Sequence, residues 1–200
     1  MKYIRSKIAI LAIIFSAVFP VAGHAENLAV RNCTWCHGGG AQGYTPAPRL
    51  AGQRAGYIEN QLMNFRGHTR DTPFSRLYMW GAAANLSSQT VHNLAVYFSA
   101  LSPQAANDGH NDLVATGGKI YQQGIPDSNI VACVACHGPN AEGVREIPRL
   151  AGLDYTYLQR RLKQWGEGYN EVVGPPMPHI AGNLSPDQIE ALASYLSFVK

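Results

Sequence analysis

Two short motifs contain all four cysteines of the 200-residue chain, CTWCH at 33–37 and CVACH at 133–137. The CxxCH pattern is typical of c-type haem attachment. Two cysteines three positions apart can reach both vinyl groups of one porphyrin, and the histidine that follows can bind its iron. We therefore expect two covalently bound haem c groups. The predicted attachment residues are Cys33, Cys36, Cys133 and Cys136, and the predicted iron ligands are His37 and His137.

Paired cysteines have two other common uses. A thioredoxin-like redox pair is expected in a βαβ context, and a zinc site needs ligands that converge on one point. Neither use explains why a histidine directly follows both cysteine pairs. The sequence therefore favours haem over both alternatives.

Both motifs belong to an internal repeat. At an offset of 100 residues, 33–65 matches 133–165 at 13 of 33 positions. The match includes the segment Pro-Arg-Leu-Ala-Gly, which occurs at 48–52 and again at 148–152. A repeated segment of this length predicts two copies of one structural unit.

The repeat continues to the end of the chain. At an offset of 98 residues, 79–99 matches 177–197 at 9 of 21 positions. We therefore predict two cytochrome c modules, 26–101 and 112–200. The stretch 102–111 contains Pro, Asn, Asp and Gly and is predicted to be a linker.

The sixth iron ligand decides whether a haem carries electrons or reacts with small molecules. Met79 and Met177 occupy matching repeat positions, and we predict that both bind iron. A thioether raises the reduction potential and closes the iron to other ligands. Met177 lies in the Pro-Pro-Met-Pro segment, 175–178, which we expect to be non-helical. Met63 aligns with Lys163 and is assigned to packing.

Other histidines could replace methionine and give bis-histidine iron. None of them recurs at a matching position of the repeat, so we expect them to be exposed. They are His68, His92, His110 and His179.

Apolar residues with helical spacing follow each Pro-Arg-Leu-Ala-Gly segment, and a further helix ends each copy. In the second copy, Ser185 is a good N-cap, Pro186 suits the first helical position, and Gln188 completes a capping box. No apolar run alternates as in a strand, so we predict an all-α fold wrapped around the haems. The helical apolar residues are Tyr57, Ile58, Leu62 and Phe65, then Tyr157, Leu158, Leu162 and Trp165.

The first 25 residues have the pattern of a secretory signal peptide. A basic start precedes an apolar run, Ile8–Phe19, and Gly-His-Ala at 23–25 is a small-x-small cleavage site. An uncleaved anchor is the alternative, but this run is shorter than the ~20 residues that span a bilayer. We expect a periplasmic protein, with peripheral association with a membrane left open.

Charge excludes one class of partner. Outside the three basic residues of the leader, 13 basic side chains balance 13 acidic ones, which removes the electrostatic footprint of nucleic-acid binding. Residues 26–101 carry six basic and three acidic side chains, whereas 102–200 carry seven and ten. We expect partners to recognise the two ends electrostatically.

The order of these features resembles the dihaem cytochrome c4 family over nearly the whole chain after the leader. The resemblance implies two tandem class I cytochrome c domains, packed about a pseudo-twofold axis with their haems close enough for electron transfer. It also implies that the carbonyls of Pro48 and Pro148 orient His37 and His137.

The same resemblance bears on two arginines and on the first helix. Arg49 and Arg149 are candidates for contacts with haem propionates, and a solvated arginine is the alternative.

The lead-in to the first motif is short, 26–32, whereas the second module has a full helical lead-in through 117–121. We therefore expect a stunted first helix in the first module.

The resemblance implies an electron carrier of a respiratory chain, not an enzyme. Its acceptor would be cytochrome c oxidase or another cytochrome, and its donor a quinol-oxidising complex or a dehydrogenase. An alternative is the cytochrome subunit of a periplasmic dehydrogenase that oxidises sulfide or an alcohol. A dihaem peroxidase is a third reading, but iron closed by methionine argues against it.

Overall fold

The computed structural model describes residues 22–169, 174 and 176–200. Residues 1–21 of the predicted leader 1–25 lie outside the described residues, and 22–25 begin the helix α1. The α-helices are α1 Ala22–His37, α2 Ala55–Arg66, α3 Trp80–Ala83, α4 Ser88–Ala100, α5 Val114–Gln123, α6 Val134–His137, α7 Tyr155–Gly166, α8 Met177–Ala181 and α9 Pro186–Phe198. Shorter turns are a π-helical turn, Ser75–Met79, and two 3₁₀ turns, Asn111–Leu113 and Pro126–Ser128.

The predicted all-α fold is confirmed. Across the described ranges, β-structure is limited to isolated bridges between loop residues. No helix in this part of the chain is long and apolar enough to cross a membrane.

Side chains at the N-termini explain where the last helix of each copy begins. Ser87 accepts a hydrogen bond from the Thr90 N–H at 3.1 Å. In the second copy, Ser185 and Gln188 form the predicted reciprocal capping box, and Pro186 occupies the first turn. These caps satisfy N–H groups that have no partner within the helix.

Each copy has its own apolar core. This core forms where α2 packs against α4 in the first copy and where α7 packs against α9 in the second. The fully buried centre of the first core contains Leu94 and Phe98 of α4, with Ile58 of α2 beside them. The second core centres on Leu192 and Tyr121.

The lead-in helix of the second module crosses the last helix at a glycine. A Cβ added to Gly117 of α5 would lie 1.9 Å from the carbonyl oxygen of Ala191 in α9. The two helix backbones therefore touch, and only a glycine allows that separation. This crossing brings Tyr121 into the core, where it is fully buried.

The first module has one continuous helix that leads into its motif. Residues 22–25 of this helix belong to the predicted leader, so the expectation of a stunted first helix after cleavage stays a prediction. The described part of α1 extends from Ala22 through the whole CxxCH motif to His37. Ala29 and Val30 of α1 pack against the first core. In the second module, by contrast, residues 124–133 separate α5 from the short helix α6.

The predicted linker is hydrogen-bonded to both modules. The Gln42 side chain donates to the Ser102 carbonyl at 3.0 Å and accepts from the Gln104 N–H at 2.9 Å. Further along, the Asn107 N–H donates to the Ser197 carbonyl at 3.1 Å. The connection is therefore part of the packed structure and holds one module against the other.

The modules meet through matching loops. A Cβ on Gly56, at the start of α2, would lie 3.3 Å from Glu146 of the second module. In the reverse direction, Arg160 of α7 donates to the carbonyl of Pro46 in the first module at 3.0 Å. The loop of the second module lies against α2, and the loop of the first module lies against α7. A pseudo-twofold relation between the modules requires this exchange.

We predict that Gly117→Ala destabilises the holoprotein by about 2 kcal/mol, because the added methyl group must separate two touching helix backbones. Denaturant unfolding of the haem-loaded protein measures this effect. Gly81→Ala is the matched control, since a Cβ there meets nothing within 4 Å. Equal stability of both variants would show that α5 and α9 are not in backbone contact.

Candidate functional site

The CxxCH motifs lie at the C-terminal ends of α1 and α6. Their first cysteines, Cys33 and Cys133, are half-buried, whereas the second ones, Cys36 and Cys136, are exposed. All four thiols are free. A spacing of three residues places the two sulfurs of each motif on one face of the helix, as attachment to a single porphyrin requires.

The thiols do not resemble those of a redox pair. Burial raises the pKa of Cys33 and of Cys133 to about 11, whereas a reactive thiol needs a lowered pKa. A zinc site is not supported either, since no group of three or more His, Cys, Asp or Glu residues converges anywhere in the described ranges.

A loop of the same shape follows each motif. The Gly43 N–H donates to the His37 carbonyl at 2.9 Å, and the Gly143 N–H donates to the His137 carbonyl at 2.8 Å. A Cβ on Gly43 would lie 2.4 Å from the backbone nitrogen of Arg49, so the loop can close only around a glycine. These bonds fold the Pro-Arg-Leu-Ala-Gly segment back over the histidine.

The two motif histidines have equivalent environments. Both imidazoles are buried. The Nδ1 of His37 lies 2.6 Å from the Pro48 carbonyl oxygen, and that of His137 lies 3.0 Å from the Pro148 carbonyl oxygen. The structure thus contains both hydrogen bonds that the family resemblance implies.

The electrostatics keep these rings neutral. Burial lowers the pKa of His37 and of His137, and the hydrogen bonds to the prolyl carbonyls offset this only in part. A neutral ring that donates from Nδ1 has its lone pair on Nε2, which is the form that binds a metal. The geometry therefore suits both histidines as axial ligands.

Met79 ends the π-helical turn Ser75–Met79 and directly precedes α3. Its side chain is partly buried. The next residue, Trp80, donates from its indole nitrogen to the Arg70 carbonyl at 2.9 Å and stacks on the ring of His68. The aromatic residue beside Met79 thus fixes the position of this turn.

Met177 is the first residue of α8, so the expectation of a non-helical segment is wrong. Its N–H donates to the Gly174 carbonyl at 2.8 Å, and the Gly182 N–H donates to the Pro178 carbonyl at 3.0 Å. Proline is compatible with a first helical turn, because its missing N–H would have no partner there. Like Met79, Met177 is partly buried on a short helix before the last helix.

The competing histidines are all exposed, as expected. His92 pairs with Glu59 at 2.7 Å, and His110 makes an edge-on contact with the Tyr155 ring. Met63, which we assigned to packing, is instead 41 % exposed. None of these side chains lies in a buried position comparable to that of the motif histidines.

Three buried arginine nitrogens fit an anionic group such as a haem propionate. The Nε atoms of Arg49, Arg70 and Arg149 are buried and have no hydrogen-bond partner within the described residues. No carboxylate of this part of the chain forms an ion pair with them. A guanidinium binds carboxylates strongly, so these three Nε donors suit a haem propionate, whereas the other guanidinium nitrogens of Arg49 bind backbone carbonyls.

Arg70 also lies beside two tyrosines at matching repeat positions. Burial and the neighbouring Tyr157 raise the pKa of Tyr57. Burial would raise the pKa of Tyr157 as well, but the guanidinium groups of Arg70 and Arg161 outweigh it, and that pKa is lowered. Positive charge is therefore concentrated between the modules, a feature that the repeat alone did not predict.

A further positioning contact was missed because Tyr121 has no partner in the repeat. The Tyr121 hydroxyl donates to the Gly138 carbonyl, directly after His137, at 2.5 Å. Tyr121 is fully buried, and burial raises its pKa well above the ordinary value. This contact fixes the end of the second motif.

Comparisons with known proteins show the family of the chain. The family model for cytochrome c matches residues 114–200. The cytochrome c4 of Stutzerimonas stutzeri is 34 % identical over 178 residues, which cover 82 % of this chain and 82 % of that protein. The thiosulfate dehydrogenase electron acceptor of Stutzerimonas stutzeri strain A1501 is 36 % identical over 183 residues, covering 86 % and 81 %.

Solved structures share the architecture as well. The structure of Acidithiobacillus ferrooxidans cytochrome c4 superposes with a TM-score of 0.74 at 34 % identity. The superposition covers 84 % of this chain and 98 % of that chain. Similarity of this extent applies to both modules.

We predict that Tyr121→Phe destabilises the second module by about 1 kcal/mol at neutral pH, through loss of the bond to Gly138. The raised pKa means that the folded state disfavours the phenolate. The difference between the folded-state and unfolded-state pKa of Tyr121 contributes to the free energy of unfolding. This contribution is complete at pH values below the unfolded-state pKa of about 10, and it is lost as the pH rises above that value. Denaturant unfolding at pH 7 and pH 11 measures both effects. Equal alkaline destabilisation of variant and parent would show that Tyr121 is not the titrating group.

We predict that Met177→His lowers the reduction potential of the second haem and abolishes the near-infrared methionine-to-iron band of that site, because imidazole favours oxidised iron. A potentiometric titration with optical detection measures both. Met63→His is the control, since Met63 is exposed and is not a predicted ligand. An unchanged band and potential in Met177→His would contradict the assignment.

Proposed function

This chain belongs to the dihaem cytochrome c4 family, and from that premise we propose that it is a periplasmic carrier that delivers electrons to a terminal oxidase. In common with its family, it binds two haem c groups covalently and is an electron carrier rather than an enzyme. The predicted leader supports the periplasmic location.

The observation that carries the proposal is the repetition of one buried site. In each module a neutral imidazole is held by a prolyl carbonyl, and a partly buried methionine lies on a short helix at the matching position. A haem with histidine and methionine ligands exchanges single electrons and leaves no iron position for a substrate. Two such sites in one chain give a store of two electrons.

We assign the cofactor residues accordingly, within modules 26–101 and 112–200 joined by 102–111. Haem attachment is assigned to Cys33, Cys36, Cys133 and Cys136. Iron ligation is assigned to His37 and Met79 in the first module and to His137 and Met177 in the second.

The described side chains support electrostatic docking, but the first module is less positive at its surface than its sequence implies. Two of its six arginines, Arg49 and Arg70, are buried. The other four outnumber the two acidic side chains described there, Glu59 and Asp71. No described acidic side chain of the second module is buried. The two ends therefore keep opposite polarity.

We predict that oxidation of the reduced protein by membranes containing a terminal oxidase slows about tenfold as ionic strength rises from about 10 to about 200 mM. Stopped-flow mixing measures the second-order rate constant. If the oxidase docks on the first module, Arg31→Gln lowers the low-salt rate, whereas Arg145→Gln, an exposed arginine of the second module, has a smaller effect. No oxidation at any salt concentration would contradict the oxidase role.

A second candidate is the cytochrome subunit of a periplasmic dehydrogenase. It is favoured because one relative is named a thiosulfate dehydrogenase electron acceptor. In that case the chain would be permanently bound to its electron donor. Size-exclusion chromatography of the native protein separates the two roles, since a subunit co-elutes with a flavin or quinoprotein partner and a free carrier elutes alone.

A further inference from the structure

The backbone segment 148–152 determines where His137 sits. Its first residue, Pro148, supplies the carbonyl that accepts from the imidazole, and the Leu150 and Ala151 N–H groups both donate to the Ala141 carbonyl, at 2.7 and 3.0 Å. Any contact that fixes this segment therefore also fixes the imidazole.

A side chain from the other module makes such contacts. Arg49 is only 4 % exposed, and its guanidinium donates to the Gly152 carbonyl at 2.7 Å. It also donates to the carbonyls of Ala151 and Gln104. One arginine thus joins the first module, the linker and the second histidine's loop.

Gln53 adds two bonds to the same segment. Its amide nitrogen donates to the Arg149 carbonyl at 2.9 Å, and its amide oxygen accepts from the Arg149 N–H at 2.7 Å. Gln53 is 6 % exposed, so both bonds are shielded from water. A buried amide that pairs with both backbone groups of Arg149 holds the two peptide units on either side of that residue, one of which carries the Pro148 carbonyl.

The reverse arrangement is absent from the described residues. Arg149, the repeat counterpart of Arg49, donates no side-chain hydrogen bond there, and the counterpart of Gln53 is Leu153, which cannot form one. Both segments have an equivalent internal bond, from the Gly52 N–H to the Phe98 carbonyl at 3.0 Å and from the Gly152 N–H to the Leu196 carbonyl at 2.7 Å. The side-chain bonds from the other module are therefore what distinguishes 148–152 from 48–52 within the described residues.

We propose that Arg49 and Gln53 of the first module are positioning residues for the second iron site, acting through the backbone of 148–152. The inference rests on the assignment of His137 as an axial ligand. Hydrogen bonding behind a ligating histidine sets its orientation and basicity, and with them the potential of the iron. The second haem is therefore tuned by Arg49 and Gln53 of the first module, whereas no described side chain of the second module binds the corresponding segment 48–52.

The test uses the full haem-loaded protein. Gln53→Leu introduces the residue that the second module has at this position, and Arg49→Lys keeps the charge but cannot bridge three carbonyls. In both variants we expect the potential of the second haem to shift, and the His137 Nδ1 proton to exchange about tenfold faster in NMR experiments. Because Arg49 directly follows Pro48, Gln53→Leu is the variant in which the first haem should stay unchanged.

Arg66→Lys is the matched control, since Arg66 donates to the Leu86 carbonyl at 2.7 Å within the first module. It should leave the second haem as in the parent protein. A variant that fails to incorporate only the second haem would support the proposal. A variant in which the incorporation of both haems falls equally would contradict it. An unchanged second haem in both variants would also overturn it. Magnetic spectra of the parent that lack a histidine ligand at the second iron would instead refute the ligand assignment.

Discussion

The histidine of each CxxCH motif is buried, and one hydrogen bond to a prolyl carbonyl determines its orientation. Without that bond, a buried imidazole would leave a donor unpaired at a cost of about 1–3 kcal/mol, or would rotate away from its position. The loop after each motif exists to bring the carbonyl there: its glycine allows the tight closure, and its backbone bonds return the Pro-Arg-Leu-Ala-Gly segment over the ring. Neutral, oriented rings suit an electron carrier, since the ligand keeps one geometry in both redox states.

The two modules repeat this arrangement but do not support each other equally. Side chains of the first module bind four backbone groups of 148–152, whereas no described side chain of the second module binds 48–52. The linker is hydrogen-bonded to both modules. A carrier built in this way has two sites of common ancestry and different surroundings, which is a physical basis for two different potentials in one chain.

The expectation of a non-helical segment at Met177 failed because of where α8 begins. Proline argues against a helix only in its interior. Pro176 precedes α8 and Pro178 lies in its first turn, where the missing N–H would have no partner within the helix. Local patterns indicate the tendency of a segment to form a helix, but the residue at which the helix begins or ends depends on what the helix packs against.

The sequence by itself determined the cofactor chemistry, the all-α fold, the repeat and the capping of the last helices, because covalent attachment, helical periodicity and N-caps depend on residues close together in the chain. Only the tertiary structure decided what surrounds the histidines. Arg49 could be a propionate contact or a solvated side chain from its sequence position, and the fold buries it against carbonyls about 100 residues away. Gln53 and Tyr121 lack repeat partners, so nothing in the pattern marked them. Their roles arise from contacts between distant segments, which no local spacing encodes.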